Sequence, residues 1–424
     1  MAQDLFLGID LGTGGVRTCA IDADARIVGI ATTALPAPRQ EGDAIDQAPA
    51  LWWDAVVETI GKLAVERAAI RRISVDGTSG TLLLTDGDGQ PLTPGLMYND
   101  ARAGAEAAKI GTIAPAESGA HGRSSALAKL LHLLARGGDT ATHALHQADW
   151  IAGRLAGRFD GSDENNALKL GYDPVTRRWP DWLDQLGVSR GLLPQVRVPG
   201  AEIGTIDPEM ARRLGLSPST HIHAGTTDGV AAFIATRASA PGDAVTSLGT
   251  TLVVKLLAEK PVFAADQGIY SHRLGDRWLA GGASNTGGAA LLAHFSAAEL
   301  EAMTPKLQPA QPTGLDYYPL PKPGERFPIA DPNLPPRVSP RPADDVTFFQ
   351  GLLEGVAAVE ALAYRRLGEL GAPALRRVIS IGGGAKNPAW SEIRHRLLGV
   401  PVTVAEQTEA SYGAALLALH AGPP

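Results

Sequence analysis

Thiols are nearly absent from this chain. Its 424 residues include one cysteine, Cys19, which excludes an intrachain disulfide and any zinc site built from thiolates. The ten histidines show no H-x-x-x-H spacing, so none of them marks a metal site. No apolar run approaches the roughly 20 residues that a bilayer-spanning helix needs, and no secretory leader precedes the first apolar stretch, "LFLGID". Excess positive charge is also missing. The formal net charge is −7, which excludes a general attraction to nucleic acid or to a membrane surface. These absences point to a cytoplasmic protein with a small-molecule partner, expected as a monomer or homodimer. The remaining composition, 44% hydrophobic and 20% charged, suits a globular chain of two or three domains.

What is present starts with "LFLGIDLGTGGVR", residues 5–17. A buried strand runs into a carboxylate, Asp10, and then into the small-residue loop Gly12-Thr13-Gly14-Gly15. Glycine-rich loops after strands cradle phosphates with backbone N–H groups. Two common phosphate loops do not fit. No lysine follows, as G-x-x-x-x-G-K-[ST] requires, and the dinucleotide fingerprint stops at G-x-G-x-x-R. "VRTCAI" alternates like a strand, so the unit reads as a hairpin. A carboxylate at the mouth of a phosphate loop makes sense if Mg²⁺ lies between them, since Mg²⁺ takes one or two carboxylates together with phosphate oxygens. The alternative is a Gly-rich hairpin with a solvated Asp.

Half a chain later the plan returns. "AVTSLGTTLVVKLL" (244–257) is again strand, Gly-Thr turn, strand. Each half continues alike, with "RRISVDGTSGTLLLTD" (71–86) and "LRRVISIGGGAKNPAW" (375–390) both running from a strand into a small-residue loop. Such self-similarity predicts two related halves. Helical stretches at 51–68 and 348–370 alternate with these strands, which predicts α/β domains. Trp52 and Trp53 are expected to pack the first helix against the core. A helix from Asp228 to about Arg237, followed by "ASAPGD", places the junction near Pro241, with domains at 1–240 and 241–424. The Pro-rich segment 305–342 is expected to be mostly loop.

Six motifs in order, "GIDLGTGGVR", "YNDAR", "GTTDGVAAF", "SLGTT", "GERFPIADP" and "IGGGAKNPAWSEIRHRLLGVPV", resemble the FGGY carbohydrate kinases. The resemblance runs from residue 5 to about 418. Within the family, "VDGTSGTLLL" and "SDENNALKLGYD" are most similar to the plant and cyanobacterial branch linked to D-ribulose. It implies two ribonuclease-H-like domains of the actin/hexokinase/Hsp70 ATPase type with an interdomain cleft. The activity implied is transfer from ATP, with Mg²⁺, to a free ketopentose.

It also implies roles for residues. Asp228 would be the catalytic base and, with Asp10, a candidate metal carboxylate. The alternative for Asp228 is an ordinary helix N-cap. Gly12, Thr13, Gly14 and Gly15 would face the phosphates from the first half. Many relatives have Ser or Thr where this loop has Gly14-Gly15, so only backbone donors and Thr13 remain. Arg17 resembles a family arginine, with a salt bridge as its plainer role. Gly249, Thr250 and Thr251 would face the phosphates from the second half, beside "GGASNTGG" (281–288). Gly383, Gly384 and Asn387 would meet the adenosine. Asp76, Thr78 and Ser79 are the first sugar-binding candidates, followed by Asp100 and Asn165. Two alternatives stay open: a kinase for D-xylulose, L-ribulose or an alditol, and a nucleotide sensor or chaperone-like ATPase on the same fold.

Overall fold

The computed structural model describes residues 3–421. The chain forms two units. The first runs to Arg237 and takes in His272–Gly275 and the chain from Glu409. The second holds Ala238–Ser271 and Asp276–Thr408.

The first unit is built on strands β1 (Leu5–Gly12), β2 (Gly15–Ile21), β3 (Ile27–Ala34), β4 (Ile70–Gly77), β5 (Glu202–Thr205) and β6 (His221–Thr227). They lie in the order β5-β6-β4-β1-β2-β3. β1, β2 and β3 are an antiparallel meander, while β4 lies parallel to β1 and β6 parallel to β4. β1 is buried on both faces, which explains why it reads as a continuous apolar run. Leu7, Ile9 and Leu11 join Trp52, Trp53 and Val56 of the helix Pro49–Lys62 in one core, as expected for the two tryptophans. The opposite face takes the helix Ala410–His420. A side chain at Gly8 would put its Cβ 1.9 Å from the Ser411 carbonyl oxygen, so only glycine admits this helix. A smaller five-stranded sheet, which includes Leu82–Thr85 and His143–His146, completes the unit.

The second unit repeats the plan. Its strands β7 (Asp243–Leu248), β8 (Leu252–Ala258), β9 (Arg277–Ser284), β10 (Arg377–Ile381) and β11 (Val402–Val404) lie in the order β9-β8-β7-β10-β11. Again three are antiparallel and two more continue in parallel. The echo between the Gly-Thr turns is therefore a repeat of topology: each turn closes the first hairpin of its sheet.

Three expectations change. The boundary at residue 240 does not cut the chain cleanly, because residues from Glu409 return to the first unit. The helix Ala410–His420 is buried almost all round, from Ser411 to Ala418, and such a helix needs walls on every side. The first helix ends at Lys62, where Leu63 turns to an extended conformation. The third concerns apolar length. The 25-residue helix Asp345–Glu369 is long and apolar enough by composition to cross a membrane, but 72% of its most apolar window is buried within the protein. It lies in the second unit's cores through Phe348, Leu352, Val356 and Leu367. Its carboxylates at Glu354 and Glu360 interrupt the apolar run, and each is paired with an arginine.

Candidate active site

In the first unit, chemistry collects at the ends of β1, β4 and β6. The parallel register sets Asp76 of β4 beside Asp10 of β1, and Thr226 of β6 beside Asp76. Across the hairpin Asp10 faces Arg17, with Nη1 donating to Oδ2 at 3.2 Å. Arg17 also approaches Glu409 at 3.6 Å. Its observed contacts are thus ion pairs. The turn Thr13-Gly14 starts three residues beyond Asp10 and closes the hairpin, and a Cβ at Gly14 would meet nothing within 4 Å. Room for an approaching phosphate exists there, between Gly12 and Gly15.

Asp228 is the first residue of the helix Asp228–Ala235, and Thr227 holds the N-cap position. The cap alternative therefore does not describe it. Its Oδ1 accepts the Gly229 N–H at 2.6 Å, which aims the carboxylate along the positive end of the helix.

Three carboxylates thus lie within electrostatic reach of one another. Burial pushes the Asp10 pKa up, the Asp228 charge adds to this, and Arg17 opposes it. Asp76 is fully buried, and burial together with the Asp10 charge holds it well above the usual carboxylate range. Neither oxygen of Asp76 receives an N–H or O–H donor from another residue. The Asp10 carboxyl faces it across the strand pair. Like charges at this spacing require a shared proton or a cation. Among the described residues no group of three or more His, Cys, Asp or Glu is arranged to hold a metal by itself. Asp76, expected at the sugar, thus stands against Asp10 with both carboxylate oxygens free of other donors.

The other sugar candidates separate. Ser79 Oγ is buried without a hydrogen-bond partner. The Thr78 hydroxyl is occupied by Gln147 Oε1 at 2.9 Å and by Thr81 at 2.6 Å. Asp100 accepts the Ile45 N–H, the Arg102 N–H and Arg102 Nε. Asn165 bonds Thr226 Oγ1 and both backbone groups of Arg273. Thr78, Asp100 and Asn165 thus each have hydrogen-bond partners within the protein.

Sequence reasoning missed Lys129. It is fully buried on the helix Ala126–Leu134, and its Nζ donates to the Gly80 carbonyl at 2.7 Å. A lysine inside "ALAKLLHLL" was the available signal. Burial pulls its pKa down to about 7, against the charge of Asp100. From about pH 7 up to the ordinary lysine value, the unfolded chain then binds a proton that the folded chain lacks. Folding stability should therefore rise with pH across that window, by about 1.4 kcal/mol per unit of pKa difference. Thermal unfolding between pH 8 and pH 10 should show this rise in the wild type and lose it in Lys129→Met. Equal slopes in both proteins would contradict the assignment.

In the second unit, a cavity of about 760 Å³ lies under the β7–β8 turn. Gly249, Thr250, Gly383, Gly384 and Asn387 all line it. Its wall is apolar, with Leu291, Leu300, Phe349 and Trp390, and its size falls in the range of small-molecule sites. Thr251 stands outside the lining, and its carbonyl accepts the Gly249 N–H at 3.3 Å. In the triple glycine the demands differ. Gly382 has a positive φ of 85°, and a Cβ at Gly384 would strike Trp390 at 2.5 Å. Gly383 faces open space, which leaves room for a ligand. Asn387 caps the helix Pro388–Leu398 through Oδ1, and its Nδ2 also reaches Thr304 Oγ1 at 3.2 Å. One amide hydrogen remains for a ligand.

Two family models cover most of the chain: the N-terminal domain of the FGGY family of carbohydrate kinases over residues 5–123, and its C-terminal domain over 244–422. The chain belongs to the FGGY carbohydrate kinases. It is thus an ATP-dependent sugar kinase. A xylulose kinase of Bacillus subtilis (strain 168) is 25% identical, covering 97% of this chain and 87% of its own. A gluconokinase of the same organism is 23% identical over 98% and 87%. A crystal structure of a xyloylose kinase from Brucella ovis superimposes with a TM-score of 0.89 at 25% identity, covering 98% of this chain and 90% of its own. Plasmodium falciparum glycerol kinase with ADP shares the fold, with a TM-score of 0.86 at 17% identity over 99% and 90%. These neighbours establish the actin/hexokinase type of α/β fold for this FGGY kinase. They do not carry the branch expected from "VDGTSGTLLL": these relatives and neighbours are two xylulose kinases, a gluconokinase and a glycerol kinase.

Proposed function

We propose that this kinase phosphorylates the terminal 5-hydroxyl of a free ketopentose in the cytoplasm, with D-ribulose preferred and D-ribulose 5-phosphate as product. The observation that carries the reading is Asp228, a carboxylate on the first turn of a helix and within electrostatic reach of the buried Asp10–Asp76 pair. It accepts the proton of the attacking hydroxyl. Asp10 and Asp228 would hold Mg²⁺, which supplies neutralisation of phosphate charge during transfer. Gly12 to Gly15 and Gly249 to Thr251 would face the phosphates, and the Gly383–Asn387 cavity takes the nucleoside.

The preference for D-ribulose rests on the short polar loop Asp76–Thr81. Ser79 Oγ, buried and unpartnered, suits a sugar hydroxyl. A site built to pair a hydroxyl rejects an analogue that misplaces it far more strongly than an apolar pocket does. D-Xylulose is the second reading, favoured by the relatives at 25% identity.

A coupled ADP-release assay with Mg²⁺ tests both, over D-ribulose, D-xylulose, L-ribulose, pentitols, gluconate and glycerol. D-Ribulose should exceed D-xylulose in kcat/KM by at least about tenfold, and Ser79→Ala should narrow the gap. A better rate with D-xylulose would replace the first reading by the second. A gap unchanged in Ser79→Ala would leave Ser79 a turn residue.

A further inference from the structure

The second unit contains a buried carboxylate that none of the motifs above explains. Glu325 belongs to "GERFPIADP" and is 4% exposed. Four donors converge on it. Oε2 accepts Ser284 Oγ at 2.5 Å and the Tyr318 hydroxyl at 2.8 Å. Oε1 accepts the Asn285 N–H at 2.7 Å and the Arg326 N–H at 2.8 Å. Burying a carboxylate is costly unless it is this fully hydrogen-bonded, so the arrangement fixes the backbone at residues 284–285.

That backbone leads straight to the nucleotide turn. Ser284 Oγ accepts the Thr286 N–H at 3.1 Å, and Thr286 O accepts the Leu252 N–H at 2.7 Å. Gly287, at a φ of 132°, presses so close that a Cβ would sit 2.8 Å from the Thr251 carbonyl carbon. The helix Gly288–Leu292 then begins against the turn. Gly288 N–H donates to Gly249 O at 2.8 Å and Ala289 N–H to Thr250 O at 3.1 Å. In a planar trans peptide the carbonyl and the following N–H point in opposite directions. Tying down the Gly249 and Thr250 carbonyls therefore turns the Thr250 and Thr251 N–H groups to the other side, as donors for a phosphate.

We propose that Glu325 is a positioning residue for the nucleotide: through Ser284 and Thr286 it sets the peptide planes of the Gly249–Thr251 turn. The inference rests on the reading of this turn as the phosphate-facing element of the ATP site. Glu325 itself touches no substrate. Its effect should appear in nucleotide affinity and leave sugar affinity alone.

The test is calorimetric ADP binding, with steady-state KM for ATP and for sugar, on the full chain. Wild type is measured first, and a wild type that binds neither ADP nor ATP would remove the site reading itself. Given wild-type binding, Glu325→Ala should raise the ADP Kd and the ATP KM by roughly tenfold, the scale of one lost buried hydrogen-bond network. The sugar KM should stay within about twofold of wild type, because none of the four donors on Glu325 belongs to a sugar candidate. Glu325→Gln should recover part of the loss, since its amide oxygen still accepts the Asn285 N–H. Ser284→Ala removes one link only and serves if Glu325→Ala fails to fold. It should give a smaller shift of the same kind. Gln350→Ala is the control, because Gln350 organises the loop at Gln308 and Gln311 of the same unit and is not part of the route to the turn. Unchanged ATP KM in folded Glu325 or Ser284 variants would overturn the proposal. So would equal shifts for ATP and sugar, or an equal ATP shift in Gln350→Ala.

Discussion

Asp228→Asn should lower kcat by about 10²- to 10⁴-fold, the usual weight of a general base, and leave ADP affinity close to wild type. The substitution keeps size and shape. Its amide oxygen can still accept the Gly229 N–H that Asp228 Oδ1 accepts at 2.6 Å, so the helix start is preserved. What disappears is the ability to take a proton and one of the three carboxylates of this cluster. Losing that charge should also lower the pKa of Asp10, since the Asp228 charge now helps to raise it. Single-turnover kinetics with saturating sugar and ATP would measure the chemical step directly. A loss of only a few-fold in a folded variant would show that Asp228 serves the helix and not the reaction.

Glu360→Ala should destabilise the protein by about 3–5 kcal/mol, the scale for removing one partner of a buried ion pair. Glu360 and Arg394 are both fully buried. Their contact is bidentate, with Nε to Oε2 at 2.6 Å and Nη2 to Oε1 at 2.7 Å. Arg394 Nη1 also donates to Ser380 Oγ at 2.6 Å, and Thr246 Oγ1 donates to Glu360 Oε1 at 2.5 Å. The network ties β7 and β10 to the helices Asp345–Glu369 and Pro388–Leu398. Removing the carboxylate leaves a buried guanidinium without its counter-charge. Replacing both residues, as in Glu360→Leu with Arg394→Met, should recover much of the loss, because the desolvation cost of both charges is then relieved. Denaturant unfolding of the two single variants and the double variant checks this. Additive losses would mean that the pair is not coupled.

The legible part of this protein was local. Strand runs such as "LFLGI", the Gly-Thr turns and the apolar helix after Asp228 each carry their conformation within a few residues. The order of motifs along the chain also identified the family before any coordinates did. The candidate site was legible where its residues flank such local signals, as with Asp10 beside a glycine turn and Gly383 after β10.

Other assignments depended on neighbours far away in sequence. Asp76, Asp100 and Asn165 look alike in the sequence: short polar residues near loops. The parallel register of β4 on β1 put Asp76 against Asp10, and long-range donors from Ile45 and Arg273 occupied the other two. Lys129 sits unremarked within a helical repeat until Gly80 arrives 49 positions away to accept from it. Glu325 gains meaning through Ser284, 41 positions away.

By itself, then, the sequence determined the two repeated α/β halves, their glycine-marked turns, and the kinase family that those turns serve. Periodicity, turn chemistry and motif order all act over short stretches of chain. The tertiary structure alone decided which carboxylates share one buried charge site, which polar residues already have partners, and why the last helix, Ala410–His420, returns to the first unit. Those outcomes depend on strand register, close approach at Gly8 and desolvation, which act between residues that the chain keeps far apart.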